Sequence, residues 1–277
     1  MAEPNRAPAG INTNVPSVAR VYDYFLGGKD NFAVDREVVE QVAKLMPAGW
    51  NPGTGAQDNR AFLRRTVRHL TREAGIRQFI DIGSGLPTQG NVHEVAQEAA
   101  PSARVVYVDN DPIVLVHARA LLGRDPGTAV ITADVRDPDE IVGNPAIRDF
   151  IDFKQPVGLL MLAILHHIND HENPGGITRR LTDAMPDGSH LVISHFRNPG
   201  AARPDDADLA DRCERLFNDR LGAGRWRTQQ EITAYFGDWK LLDPGLVPLP
   251  EWRPDPGERI EEHPVYHLFV GGVARKN

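Results

Sequence analysis

The chain has 277 residues, 41% of them hydrophobic and 25% charged, with one cysteine and a formal net charge of −7. That composition suits a globular protein with a large core that needs no disulfide or metal staple, and it excludes a disulfide scaffold or a disordered chain. The acidic balance argues against nucleic acid as a partner, and the longest apolar run, residues 157–165, is too short to cross a bilayer.

Residues 1–16 are rich in Ala, Pro, Asn and Gly without periodicity and predict a flexible tail. They contain no apolar stretch of a secretory signal, and Cys213 needs no oxidising compartment, so the expected location is cytoplasmic with no membrane partner. Residues 17–75 predict an N-terminal helical cap. Val38, Val42 and Leu45 form one stripe that stops at Met46-Pro47, and an Arg-rich segment follows a Gly/Pro-rich loop. In that segment Leu63, Val67, Leu70 and Ala74 recur at helical spacing. The pattern predicts an amphipathic helix whose Arg60, Arg64, Arg65, Arg68, Arg72 and Arg77 form a solvated basic face.

From residue 78 the period changes. Strands are expected at 78–83, 104–109, 129–134, 157–163 and 190–196, alternating with helical segments, which reads as a parallel sheet covered by helices on both faces. Asp111-Pro112 and Asn173-Pro174 mark helix starts, and Thr228 with Glu231 forms a capping box. Two further strands, 239–242 and 266–274, bring the count to seven.

The first strand leads into Asp81-Ile82-Gly83-Ser84-Gly85-Leu86-Pro87-Thr88, a glycine-bearing turn that lets a ligand approach the backbone closely. The second ends at Asp109, with Asn110 beside it, where a carboxylate can accept hydrogen bonds from both hydroxyls of a ribose. Together they indicate a nucleoside-type cofactor. Thr88 stands where a dinucleotide site wants its third glycine, and Pro87 removes an N–H donor that a pyrophosphate would use. S-Adenosylmethionine, with no phosphate and a cationic sulfonium, suits this turn and Asp81 better than NAD does.

Asp134, with Val135 beside it, follows the third strand. It is placed either to accept from an adenine amine or to cap a turn before Pro138. The fourth strand runs through Ala163 to His166 and His167, at the carboxyl edge where open α/β sheets bind ligands. Three readings of the histidines stand: a base or substrate-positioning pair, a structural pair, or part of a metal cluster with Asp170, His171 and Glu172. The last needs a helix that brings His167 and His171 to one face, and no metal is the expected outcome. His195, ending the fifth strand, is a candidate of the same kind.

The segment from Ser17 to Phe32, SVARVYDYFLGGKDNF, together with Asp35-Arg36, Asn59-Arg60, FIDIGSGLPT, VVYVDNDP and LLMLAILHHI, resembles an actinobacterial family of S-adenosylmethionine-dependent methyltransferase-like proteins. The resemblance implies the class I methyltransferase fold, an α/β Rossmann-like seven-stranded sheet of order 3-2-1-4-5-7-6 with the last strand antiparallel. It makes residues 76–277 the cofactor-binding domain behind the helical cap. It also implies S-adenosyl-L-methionine as cofactor, Gly83 and Gly85 as the loop glycines, Asp109 as the ribose acid and Asp134 as the adenine-side acid. Tyr22, Asp23, Tyr24, Asn31, Asn59 and Arg60 are expected to cover the cofactor, line a substrate pocket or pack helices. The expected reaction is methyl transfer to a small molecule. Two rivals are a non-catalytic protein that senses the cofactor and an NAD-dependent oxidoreductase.

Overall fold

The computed structural model describes residues 11–87, 90–122 and 125–277. The first ten residues of the expected tail, and Thr88 of the loop, lie outside the described residues. Three helices come first: α1 (Val18–Phe25), α2 (Ala33–Leu45) and α3 (Thr54–Arg72). The alternating part follows as β1 (Gln78–Ile82), α4 (Val92–Ala99), β2 (Arg104–Asp109), α5 (Pro112–Leu122), β3 (Thr128–Thr132), α6 (Pro138–Gly143), α7 (Pro145–Phe150) and β4 (Gly158–Leu162). Then come α8 (Pro174–Asp183), β5 (His190–Phe196), α9 (Pro204–Leu221), α10 (Gln229–Ala234), β6 (Lys240–Leu241), β7 (Val247–Pro248) and β8 (Phe269–Arg275).

The sheet order is β3-β2-β1-β4-β5-β8-β6, with β7 also on β8. Strands β1 to β5 are parallel, and β8 runs antiparallel to β5, β6 and β7. This is the expected methyltransferase order once β6 and β7 are taken as one broken edge strand. Leu241 faces Ala274 and Val247 faces Gly271, so five residues on the edge strand span what two span on β8. The excess, which includes Pro244 and Gly245, bulges out and interrupts the ladder, as Pro must where no N–H can be given. The last strand is shorter than expected because Tyr266–Leu268 form a 3₁₀ turn before it.

Alternate residues of each strand fill opposite faces of the sheet. Leu159 and Met161 of β4 pack under α6, α7 and α8 through Ile141, Ile147, Ile177 and Leu181. Leu160 and Leu162 pack on the other face, against Phe62, Leu63, Val67 and Leu70 of α3 and Val92 and Ala96 of α4. Helix α3 is therefore a sheet-covering helix, and the expected boundary at residue 75 separates it from the core it completes. Phe62, Val67 and Leu70 are wholly buried, each contributing about 1.5–3 kcal/mol relative to exposure.

The basic face expected on α3 loses two members, Arg60, which lines the cavity described below, and Arg65. Arg65 is buried; its Nε donates to the Trp252 carbonyl at 2.9 Å and its Nη2 to that of Leu249 at 2.8 Å. It ties α3 to the segment before β8, because a buried guanidinium must find acceptors.

The helix starts follow the side-chain caps. Asp111 Oδ1 accepts from Ile113 N at 3.0 Å and Asn173 Oδ1 from Gly176 N at 3.1 Å. Thr228 N donates to Glu231 Oε2 at 2.8 Å while Glu231 N donates to Thr228 Oγ1 at 3.3 Å. Among the described residues no helix is long and apolar enough to cross a membrane.

Candidate functional site

One cavity of about 380 Å³ opens over the carboxyl ends of β1, β2, β4 and β5. It spans the point where the strand order reverses between β1 and β4, the place where open α/β sheets take ligands.

Its first end is built by the turn after β1. Gly83 and Gly85 adopt φ of +71° and +66°, a region that costs an L-residue about 1–2 kcal/mol. At Gly83 space is limiting too, since a Cβ there would lie 2.7 Å from Ile164 Cδ1. The turn is held to β2: Gly83 N donates to the Val108 carbonyl at 2.8 Å and Gly85 N to Asp109 Oδ2 at 2.9 Å. The other carboxylate oxygen of Asp109 accepts from Asp111 N at 2.9 Å. Each oxygen retains acceptor capacity for further donors. Burial raises the Asp109 pKa against the pull of these N–H groups.

Asp81, Ser84, Asn110, Ala133, Val135 and Ala163 also line this end. Asp81 is buried and none of the described residues hydrogen-bonds its carboxylate; burial pushes its pKa up to about 7, opposed by Arg60 and reinforced by Asp109. Arg60 shares the lining, and its Nε is buried without a partner. An anionic and a cationic side chain thus face one space without forming an ion pair.

The N-terminal signature divides in two. Tyr22, Asn59 and Arg60 line the cavity. Tyr22 and Asn59 belong to a directional chain of hydrogen bonds. Ala163 N donates to Ser194 Oγ at 2.9 Å, Ser194 Oγ to Asn59 Oδ1 at 2.7 Å, Asn59 Nδ2 to Tyr22 Oη at 2.9 Å, and Tyr22 Oη to the Ala56 carbonyl at 3.3 Å. Asp23 and Asn31 instead knot the α1–α2 connection: Asp23 Oδ2 accepts from Asp30 N at 3.0 Å and from Asn31 Nδ2 at 2.9 Å. Tyr24 packs with Val21, Val38 and Val39. Asp23 and Tyr24 stand outside the lining because adjacent residues on a helix diverge by about 100°, and Asn31 because it lies in the connection between α1 and α2. The N-terminal segment is anchored over this end, with Ser17 Oγ donating to Asp111 Oδ2 at 2.5 Å and Ile11 packed near Leu86, Ile113 and Val114.

Asp134 does not reach the cavity lining. Its oxygens accept from Arg136 N at 2.9 Å and Asn110 Nδ2 at 2.7 Å, which is the turn-capping arrangement.

The second end of the cavity is aromatic, with Arg136, paired with Asp134 and Glu172, the charged residue beside its histidines. His166 stacks on Phe196 with centroids 3.6 Å apart, Phe196 stacks on Trp226 at 4.2 Å, and Phe217 meets Trp226 edge-on at 5.3 Å. Phe25, Val42, Met46, Leu221 and Phe269 complete the wall. Cys213 also lines it, but burial pushes its thiol up to about 12, so it is a neutral surface and not a nucleophile.

His166 and His167 both line this end, and both are held neutral by burial, His167 at about 4 and His166 well below the ordinary value. His195 is not in the lining. It is wholly buried, its Nδ1 bonds the Phe196 carbonyl at 2.6 Å, and its Nε2 takes Arg227 Nη1 at 3.1 Å. The metal arrangement fails on geometry, because Leu165–His167 and Asp170–Glu172 are separate 3₁₀ turns and His171 is exposed. Among the described residues no group of three or more His, Cys, Asp or Glu side chains is disposed to hold a metal ion.

Phe25, Val42, Met46, Phe217 and Trp226 escape sequence reasoning. Apolar residues at helical spacing read as core, and only Trp226, set in the Gly-rich stretch before α10, carries a local signal of something unusual.

A family model described as S-adenosyl methyltransferase matches residues 4–277. A candidate methyltransferase of Thermobifida fusca is 42% identical, with 99% of this chain and 100% of that one covered, at a TM-score of 0.91. A DUF574 family protein of Streptomyces avermitilis is 39% identical over 96% of this chain and 99% of that one, at 0.87. A methyltransferase of Anabaena variabilis, 14% identical over 98% and 100% of the two chains at 0.51, shares the fold. No curated protein matches the sequence.

Proposed function

The chain belongs to the S-adenosyl methyltransferase family, and from that premise we propose that it binds S-adenosyl-L-methionine at the charged end of the cavity and methylates a small molecule seated at the aromatic end. The observation that carries the reading is the unpaired couple of Asp81 and Arg60 in one cavity with Asp109. The methionine end of the cofactor is a zwitterion, and a buried carboxylate and guanidinium that do not satisfy each other fit its ammonium and carboxylate respectively. Asp109 would take the ribose hydroxyls, and Val135 and Ala133 offer an apolar surface to the base.

When bound, the cofactor supplies an electrophilic methyl group on a sulfonium. What remains for the chain is positioning: the cavity holds the acceptor in line and excludes water, and such orientation accounts for about 7–11 kcal/mol of a barrier. The N-terminal helices contribute the cover, through Tyr22, Asn59 and Arg60. A small acceptor suits a cavity that is roofed by α1 and α3, and the chain's acidic balance gives no basic track for nucleic acid.

The test is calorimetric titration of the full chain with S-adenosylmethionine, S-adenosylhomocysteine and NAD. Binding of the first two and not the third is expected, with Arg60→Met weakening it by about 1.5–3 kcal/mol through the lost charge-assisted bond. Label transfer from the methyl-labelled cofactor to a small-molecule extract separates the enzyme from a sensor; binding without transfer to any extract favours the sensor.

A further inference from the structure

Backbone contacts fix which nitrogen of each cavity histidine carries its proton. Phe196 N donates to His166 Nδ1 at 3.3 Å, so Nδ1 is the lone-pair nitrogen and the hydrogen of the neutral ring sits on Nε2. His167 is the reverse. Its Nδ1 lies 3.2 Å from the Ala223 carbonyl, which only accepts, so Nδ1 carries the hydrogen and Nε2 the lone pair. Both rings line the cavity, 4.5 Å apart between centroids, and neither Nε2 bonds another group among the described residues. The aromatic end therefore presents one donor and one acceptor side by side, against the rings of Phe196, Phe217 and Trp226; Arg136 also lines the cavity, with its Nη2 3.4 Å from the His167 carbonyl and its charge met by Asp134 and Glu172.

Resting on the proposed methyl transfer, the geometry points to a ring-borne hydroxyl as the methyl acceptor, with His166 Nε2–H donating to its oxygen and His167 Nε2 accepting its proton. A hydroxyl can do both and still react, because its oxygen keeps a second lone pair for the methyl carbon. A neutral amine has one lone pair, and a hydrogen bond from His166 would occupy the pair that must attack. A carboxylate or ammonium would lose its hydration against these rings, and the Arg136 guanidinium is already committed to Asp134 and Glu172.

The O–C bond forms as the C–S bond breaks, sulfur keeps the electron pair, and the hydroxyl proton passes to His167 Nε2. His167 then carries the positive charge, its Nδ1–H still bonded to the Ala223 carbonyl. A weakly basic imidazole suffices, because an oxygen that is gaining a methyl group becomes strongly acidic.

Two measurements test this without depending on turnover. Nitrogen-15 spectra of the cofactor-free chain should show His166 protonated at Nε2 and His167 at Nδ1; the opposite assignment for either overturns the inference. Calorimetry on the chain loaded with S-adenosylhomocysteine should show 2-naphthol binding at least about tenfold more tightly than naphthalene, since a site built for a hydroxyl rejects the analogue without it. The same complex should bind 2-naphthylamine more weakly than 2-naphthol.

His167→Asn keeps a donor for the Ala223 carbonyl but has no Nε2. It should erase the preference for 2-naphthol while cofactor affinity and melting temperature hold. Where turnover of 2-naphthol is measured, this variant should lower kcat by about 10²–10⁴-fold. Equal binding of naphthalene and 2-naphthol, or methylation of 2-naphthylamine in preference, overturns the inference and leaves the cofactor reading standing. Absence of S-adenosylhomocysteine binding is a different failure, which removes the proposed function and this inference with it.

Discussion

The two ends of the cavity are built on opposite principles. The end under β1 and β2 concentrates Asp81, Asp109, Asp111 and Arg60 around a glycine turn, and most of its parts come from two short stretches of chain. The end under β4 and β5 is a box of rings drawn from β5, α9, the segment before α10 and the N-terminal helices, and the one charged group beside its histidines, Arg136, is tied to Asp134 and Glu172. Charge placed on rigid strand ends recognises one defined molecule. An apolar box selects by shape, and leaves chemical discrimination to the few polar atoms set in its wall.

If the two ends are energetically separate, damage to one should spare the other. The largest effect is expected from Phe217→Ala, which removes a nearly buried ring. Thermal or denaturant unfolding should show a stability loss of about 3–5 kcal/mol, while the calorimetric affinity for S-adenosylmethionine changes little. A matching loss of cofactor affinity would show that the box shapes both ends.

Asp109→Ala is the converse. It should weaken S-adenosylmethionine binding by about 2–4 kcal/mol through loss of two charge-assisted hydrogen bonds, with Asp109→Asn retaining part of the affinity. An unchanged dissociation constant would remove Asp109 from the site.

Acidity separates the ends by sign. Asp81 titrates at about 7 in the folded chain, and the proposed ammonium contact needs it ionised. Cofactor affinity should therefore fall by up to about tenfold per pH unit as pH drops below 7, and binding near pH 6.5 should release a proton, seen as a dependence of the heat on buffer ionisation. For stability the raised carboxyl works the other way: its contribution is complete below the unfolded value near 3.8 and is lost as pH rises through 7. His166, His167, His190 and His195 all have lowered values. Neutral in the fold but protonated in the unfolded chain below about 6.5, they contribute stability above that pH and lose it on acidification. With His93, also lowered by burial, these histidines outnumber the raised carboxyls of Asp23, Asp81 and Asp109, so unfolding midpoints of the unliganded protein should drop from pH 6.5 towards 4.

The smallest effect belongs to the hydrogen-bond chain between the ends. Tyr22→Phe removes the oxygen that accepts from Asn59 and should lower the melting temperature by the equivalent of about 1–2 kcal/mol, with a smaller change in cofactor affinity. Equal losses in both would make Tyr22 a cofactor contact.

How much of this the sequence discloses differs between the ends in the same way. Strand period, Asp-Pro and Asn-Pro helix starts, and the acid at the end of β2 are local signals, and the sheet, the loop and Asp109 follow from them. The division of the N-terminal signature was hidden, because whether Tyr22 or its neighbour Asp23 faces the cavity depends on the rotation at which α1 docks. His195 looked equivalent to His166 and is not, since Arg227, 32 residues further on, caps it. The aromatic box was the least legible part. Its rings sit at core-like spacings in separate elements, and only the packed chain brings Phe217 to Trp226 and Phe196.

The bond between Ser194 and Asn59 joins residues 135 positions apart. At about 5–20 residues per second of synthesis, the helix bearing Asn59 leaves the ribosome roughly 7–27 s before its partner does. Through that interval the nascent N-terminal helices have neither the buried hydroxyl nor the finished sheet to dock against. The roof of the cavity is thus made first and fastened among the last, so a chain that stalls before β5 presents those helices to chaperones and proteases while its glycine turn is already complete.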